Sequence, residues 1–404
     1  MPDETVCGDG KVCAEGKCVK RWAKHIGAGN VAAVAVLSGG EVVRWGAQWG
    51  YGGVWPAPGL VPNIAGAVEA DIGSGTACAR LASGGVKCWG GDEFYKAGSL
   101  GRGVCAQFDP VPQPVAGLPA IKHLGMGRLY SLAIDTDGKL WAWGIGNAGQ
   151  LGLGYCPDCQ ANAAPVALDG VVKVAAALAG DTNNGAENVM SLALRADGTV
   201  WGSGHAYLCS FGPSPNYWSN DTLGDGSKNE SSTFIQVALK EPAVAVCVGL
   251  SHKCALAKSG VPWCWGVNAA GQLGDGTAAT RATPVPVKGL PAKAIQIACG
   301  AGEDYGDLTG HTCALLEGGT VACWGRNSTG QLGNGTTYDS YEPVLVKGLS
   351  GVTQVDAGQG FSCALRIDGS VWCWGSNKYF RLGAGPNGPD THSAVPLPVL
   401  GSLP

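Results

Sequence analysis

The sequence predicts an all-β chain, a seven-bladed β-propeller of four-stranded antiparallel blades with a short Cys-rich N-terminal segment, and three observations lead there. A Trp-Gly pair recurs along the chain, and one glycine keeps the same spacing to it in every copy. Glycine makes up 67 of 404 residues while charged residues make up only 14%, against usual shares of about 7% and 25%. With 14 Trp and 45% hydrophobic residues, the chain also has ample material for a packed core, which sets disorder aside.

The repeat is plainest in residues 254–277, 313–336 and 363–385: CALAKSGVPWCWGVNAAGQLGDGT, CALLEGGTVACWGRNSTGQLGNGT and CALRIDGSVWCWGSNKYFRLGAG. Trp-Gly recurs at Trp45, Trp89, Trp143, Trp265, Trp324 and Trp374, and a degenerate copy, Ser203-Gly204, fills the wide gap, giving seven units 44 to 62 residues apart. Internal periods of this length build solenoids, propellers or arrays. Each unit reads as an inner strand (VTQVDAG, 352–358), a tight hairpin of two strands, and a Pro-bounded last strand such as Pro284-Val285-Pro286-Val287. Proline is tolerated in a ladder at edges, so that strand is the outer one. Four strands repeated seven times is a propeller. The domains expected are a Cys/Gly-rich segment, 1–20, and the propeller, 21–404.

Gly40, Gly84, Gly138, Gly198, Gly260, Gly319 and Gly369 each sit five residues before the Trp, or before Ser203. A three-residue hairpin connection whose last position has positive φ explains the glycine. Ten of the Trp follow this turn, as Trp-x-Trp in units three, five and seven. Period two puts both rings on one face, where each buries about 150–250 Å² against a neighbouring blade.

The string C/S-A-L-x-x-x-G-x-V-x-x-W-G-x-N-x-x-G-Q-L-G resembles the regulator-of-chromosome-condensation repeat, over nearly all of 22–400. The resemblance implies a seven-bladed propeller. It narrows function little, because such propellers serve nucleotide exchange on a small GTPase, ultraviolet sensing in plants and inhibition of a secreted β-lactamase. His252 and His311 fall in the repeat's Gly-x-x-His-x-Cys-Ala-Leu context, a structural position by that resemblance, with a ligand role as the alternative. Asn268, Gln272, Asn327 and Gln331 belong to the loop motif and are expected to satisfy backbone groups of the turn.

In four units Cys stands eleven residues and one residue before the Trp: Cys78/Cys88, Cys254/Cys264, Cys313/Cys323 and Cys363/Cys373. The other units have Val34 with Arg44, Leu132 with Ala142 and Leu192 with Gly202. Two independent sets of four units would coincide about once in 35 trials, so the positions are coupled. They face one another across the hairpin, and four disulfides are expected there, implying an oxidising compartment. Cys105, Cys156, Cys159 and Cys209 follow the Trp strand in units two to four and should gather on one rim; two disulfides, a zinc site or free thiols fit the Cys156-x-x-Cys159 spacing. Cys247 and Cys299 read as the same inner-strand position in adjacent blades, where a bridge is open. Cys7, Cys13 and Cys18 cannot close on themselves, and 17 cysteines leave at least one unpaired within the chain.

A net charge of -4 gives no basic footprint for nucleic acid, and no apolar run suits membrane insertion. The start, MPDETVCGDGKVCAEGKC, shows no charged segment followed by an apolar stretch, so an extracellular or cell-surface location rests on the cysteines. No nucleophile elbow, phosphate loop, dinucleotide fingerprint or zinc helix is present; no catalytic residue, metal or cofactor is expected.

Units differ in the loops joining first to second and third to fourth strands, which share one face. The insertions there carry Asp181, Asn184 and Glu187 (179–189), Tyr217, Trp218 and Asp221 (206–232), and Glu303, Asp304, Tyr305 and Asp307. Loops on a rigid scaffold are where binding usually sits, and aromatics among carboxylates suit a protein or glycan. The reading is a non-catalytic extracellular binding scaffold using that face. An exchange factor or other regulator is the alternative, and a glycan-active enzyme, for which Asp304 and Asp307 would serve, the second.

Overall fold

The computed structural model describes residues 6–7, 11–14, 17–47, 53–91, 97–105, 108–178, 189–204, 223–227, 231–303, 308–386, 388–389 and 391–399, with backbone alone for 6–20. Seven four-stranded sheets follow one another, each with its strands in sequence order: 23–60, 67–114, 121–166, 171–236, 243–286, 294–345 and 352–398. These are blades 1 to 7. A three-stranded sheet, Val6–Cys7, Lys11–Ala14 and Lys17–Lys20, precedes them and places Cys13 opposite Cys18 in register.

The hairpin glycine acts as its sequence position requires. In blade 1 the Gly40 N–H bonds to Leu37 O and the Leu37 N–H to Glu41 O, both closing around Ser38, Gly39 and Gly40. All seven glycines have φ between 80° and 88°, a region costly to any residue with a Cβ. Gly40 O then accepts the Ala67 N–H of the next blade, and the same bond recurs from Ala294 to Gly260 and from Ala23 to Gly369, the last closing the circle.

The core lies between blades. Trp45, Trp89, Trp143, Trp265, Trp324 and Trp374 are fully buried, and all but Trp89 are set against the Leu-Gly of the preceding blade's loop, as Gly274 lies under Trp324 and Gly333 under Trp374. The indole N–H of Trp324 bonds to Gln272 O at 3.0 Å and that of Trp374 to Gln331 O at 2.9 Å. Blade 4 has Ser203 instead, whose hydroxyl donates to Gly149 O at 2.7 Å.

Cys78–Cys88, Cys254–Cys264, Cys313–Cys323 and Cys363–Cys373 are disulfides joining residues opposite in register, each with Cα atoms 4.1 Å apart. Val34/Arg44, Leu132/Ala142 and Leu192/Gly202 take the same register positions in the other blades. Cys105–Cys159 is a disulfide between blades 2 and 3, and Cys156 is also disulfide-bonded, so neither Cys156 nor Cys159 offers zinc a thiolate.

Cys247 and Cys299 are disulfide-bonded too, but they do not occupy one position, as their sequence contexts suggested. Cys247 faces Cys254, whereas Cys299 faces Thr312, and Ala298 faces Cys313. Cys299 is therefore one residue further along. Alternate residues of a strand point to opposite faces, so equal positions would have aimed both sulfurs the same way around the ring, and the offset is what turns them towards each other.

Candidate functional site

The two faces of the ring are built differently. Second and third strands are separated by the same short span in every blade, as between Leu37 and Val42 or Arg366 and Val371. On the other face, first-to-second connections run from three residues, between Ala28 and Ala32, to residues 177–189 in blade 4. Third-to-fourth connections run from 48–53 in blade 1 to 205–230 in blade 4.

Of the binding residues read from the sequence, Glu303 alone is described; Asp181, Asn184, Glu187, Tyr217, Trp218, Asp221, Asp304, Tyr305 and Asp307 lie outside the described residues. Glu303 accepts a 2.8 Å hydrogen bond from the Ser376 hydroxyl and so ties blade 6 to blade 7. The described part of this face adds aromatics that sequence reasoning passed over: Tyr338, 81% exposed, Tyr155, Tyr379 and Phe380. Tyr379 and Phe380 were legible as a departure from the motif, since Phe380-Arg381 replaces its Gly-Gln.

The histidines and loop amides bind the scaffold together. His252 Nε2 lies 2.9 Å from Thr312 Oγ1 and His311 Nε2 2.8 Å from Ser362 Oγ, each across a blade boundary. Burial lowers their pKa values to about 3 and about 4, so both rings are neutral at physiological pH. Asn268 Oδ1 accepts the Leu273 N–H, Gln272 Oε1 the Ala270 N–H, Asn327 Oδ1 the Leu332 N–H and Gln331 Oε1 the Thr329 N–H, at 2.9–3.0 Å.

The inner strands surround a channel holding a cavity of about 280 Å³. Its wall is uneven. His25, Glu69, Asp71, His123, Gln354 and Asp356 come from blades 7 and 1 to 3, while blades 4 to 6 contribute Val174, Val246, Val248, Ile297 and the Cys247–Cys299 bridge together with Lys173 and Gln296. Burial would raise the pKa of Glu69, but hydrogen bonds from His123 Nδ1 (2.6 Å) and Arg80 Nε (2.7 Å) bring it down to about 2. Asp71 and Asp356 expose some surface yet are enclosed by the channel wall. That burial raises Asp71 to about 6 and Asp356 to about 7, the latter raised further by the charge of Asp71.

These acids are already engaged. Asp356 accepts the N–H of Ala28 at 2.7 Å, Asp71 that of Met126 at 3.0 Å, and Gln354 both accepts from and donates to the Ile26 backbone at 3.0 and 2.7 Å. Each side chain thus clamps the next blade's inner strand, which has no ladder partner on that side. Among the described residues, the cluster of metal-ligating atoms is Cys247, Cys254 and Cys299, all held in disulfides.

The sequence model of the regulator of chromosome condensation (RCC1) repeat matches residues 137–186, 259–302 and 318–365, and a second model of that repeat matches 121–150 and 352–381. With seven four-stranded blades around one channel, that decides the family. The chain belongs to the regulator-of-chromosome-condensation repeat family. Among curated family relatives, the human E3 ubiquitin-protein ligase HERC2 is 31% identical over 72% of the chain, which spans only 6% of that protein. The ultraviolet-B receptor UVR8 of Arabidopsis thaliana is 29% identical over 80% of the chain and 69% of its own length. In fold, the chain is similar to Prp20p of Saccharomyces cerevisiae (TM-score 0.68, 19% identity, 94% of this chain and 87% of that one) and to human WBSCR16 (0.67, 20%, 84% and 85%).

As a member of this family the chain is a regulatory or binding propeller. No helix among its described residues is long and apolar enough to cross a membrane.

Proposed function

We propose that the protein is a non-catalytic binding propeller of an oxidising, extracellular or cell-surface environment that recognises a protein partner through its loop face. The observation that carries this reading is the contrast between seven uniform hairpins on one face and unequal connections on the other, with exposed Tyr338 and Tyr155 on the second. Four within-hairpin disulfides and two between blades support the oxidising environment, since such bonds persist there and are reduced in the cytosol.

The test is capture of partners by the oxidised protein, set beside the same protein with Tyr217, Trp218 and Tyr305 changed to Ala. Loss of a partner's binding by at least about thirtyfold, with an unchanged melting temperature, supports the reading. Loss on Glu317→Ala or Asp368→Ala at the hairpin tips instead places the interface on the opposite face. Prp20p is described by its binding to Gsp1p and histones; a small GTPase retained by the reduced protein would favour the exchange-factor reading, and binding of a glycan array alone a carbohydrate ligand.

A further inference from the structure

Three cysteines stand in one row on the face that blade 5 packs against blade 6. Cys247, Cys254 and Cys264 lie on its first three strands, Cys247 opposite Cys254 and Cys254 opposite Cys264 in register, and residues directly opposite in a sheet share a face. Cys299 of blade 6 meets the row, and the sulfurs of Cys247, Cys254 and Cys299 all lie within 4.8 Å of one another. Two disulfides are thus neighbours, Cys247–Cys299 between the blades and Cys254–Cys264 within the hairpin. The other hairpin disulfides face no third sulfur on the first strand: Asp71 is opposite Cys78, Ala298 opposite Cys313 and Asp356 opposite Cys363. The two neighbouring bridges also differ in access. Cys247 and Cys299 line the channel cavity and are 7% and 5% exposed, whereas Cys254 and Cys264 are fully enclosed.

We propose that these four sulfurs form a thiol–disulfide relay, by which a small monothiol entering the channel unfastens blade 5 from blade 6. The first thiolate breaks the Cys247–Cys299 bond and forms a mixed disulfide on one of the two cysteines; a second attacks that mixed disulfide, so both cysteines become thiols and the reagent leaves as its own disulfide. The Cys247 thiolate then attacks Cys254 Sγ. The Cys247–Cys254 bond forms, the Cys254–Cys264 bond breaks, and Cys264 leaves as a thiolate that takes a proton from water. Two thiols of the reagent are oxidised to one disulfide, and the two protein disulfides become one disulfide with free Cys264 and Cys299. Register selects this path. The strand of Cys254 lies between those of Cys247 and Cys264, so the attacking and leaving sulfurs reach the central one from opposite sides, as in-line exchange requires. Residues directly opposite in an antiparallel pair have Cα atoms about 4.5 or 5.5 Å apart, and both spacings lie within the roughly 4.4–6.8 Å that a disulfide spans, so the strands need not move. The tie between blades is exchanged for one inside blade 5, whatever partner the loop face takes.

Brief exposure of the intact oxidised protein to reduced glutathione, quenched with excess N-ethylmaleimide and mapped with pepsin, tests this. The expected map has alkylated Cys264 and Cys299 and a Cys247–Cys254 link in at least about a tenth of the molecules, with Cys78–Cys88, Cys313–Cys323 and Cys363–Cys373 intact. Cys299→Ser isolates the second step, because it leaves Cys247 as a thiol beside Cys254–Cys264 with no reductant added. The same Cys247–Cys254 link should form there, with Cys264 free and an unchanged circular-dichroism spectrum. Alkylated Cys247 and Cys299 with Cys254–Cys264 whole in every molecule of the glutathione-treated protein would overturn the proposal. So would a Cys247–Cys299 bridge that outlasts the hairpin disulfides, or equal exchange at all four hairpins, the mark of reshuffling in the unfolded chain.

Discussion

The seam between blades 5 and 6 and the seam that closes the ring between blades 7 and 1 solve one packing problem with different residues. At the first, Gly271 (φ 84°) leaves room for the adjoining outer strand, where a Cβ would come within 2.6 Å of Tyr341 Cα. Gln272 O receives the Trp324 indole N–H, and Cys247–Cys299 ties the inner strands. At the closing seam Phe380 holds the glycine's place with φ 59°, and Arg381 the glutamine's; yet Arg381 O still receives the Trp45 indole N–H at 2.9 Å. Both seams keep the carbonyl as the indole's acceptor while the side chain on that residue differs, the buried Arg381 donating to Gln359 O where Gln272 accepts the Ala270 N–H.

Closure also lacks a strand exchange: blade 1 draws all four strands from 23–60 and blade 7 all four from 352–398. In place of chain continuity or a disulfide, Gln354 and Asp356 grip the backbone of Ile26 and Ala28. Side-chain bonds of this kind contribute far less than a covalent tie, which makes the closing seam the weaker of the two.

The sharpest way to break this comparison is to remove the indole from each seam. Trp45→Ala and Trp324→Ala should each cost about 3–5 kcal/mol, but Trp45→Ala should open the ring in a separate early step of a guanidinium melt while Trp324→Ala shifts a single transition. Identical single transitions would make the seams equivalent. Next, Cys247→Ser/Cys299→Ser should lose about 2–4 kcal/mol, because that bridge closes a loop of sequence separation 52 and the denatured chain gains the most freedom from long loops. Cys78→Ser/Cys88→Ser, with a separation of 10, should lose less in the same assay.

The carboxylates of the channel, Asp356 at the closing seam and Asp71 and Glu69 between blades 2 and 3, give a pH signature. Asp356 and Asp71 have folded pKa values near 7 and 6, above those of the unfolded chain, so the native state binds more protons in between. Stability from these groups is full below about pH 4, falls as pH rises through 6 to 7, and is then level. Glu69, held low at about 2, acts oppositely and loses its contribution only as pH falls below about 4. Melting temperatures from pH 4 to 8 should show the decline, and Asp356→Asn should reduce its slope whatever it does to stability at pH 4. A slope that survives assigns it to other groups.

The smallest effect expected is that of Phe380→Gly. Relief of positive φ offsets loss of a ring already 36% exposed, leaving a change within about 1 kcal/mol. The reverse exchange at an internal seam, Gly330→Phe, should be far more damaging in a thermal melt, because a Cβ there meets Ala394 Cα at 2.5 Å.

The sequence by itself determined what is local. The hairpin glycines declare their φ within a few residues, period two declares the strands, and the joint appearance of Cys at two positions declares which residues face across a hairpin. The pairing of second with third strand then follows from a connection as short as that between Leu37 and Val42. What only the tertiary structure decided depends on the angle between rigid blades. Glu69, Asp71 and His123 share a wall with Asp356 because the ring closes, and Gln354 meets Ile26 across 328 residues of chain; no repeat pattern encodes that meeting. The Cys247–Cys299 bridge stayed open in the sequence for the same reason, since a one-residue offset decides which face of a strand a sulfur leaves from, and only register against the neighbouring strand reveals it.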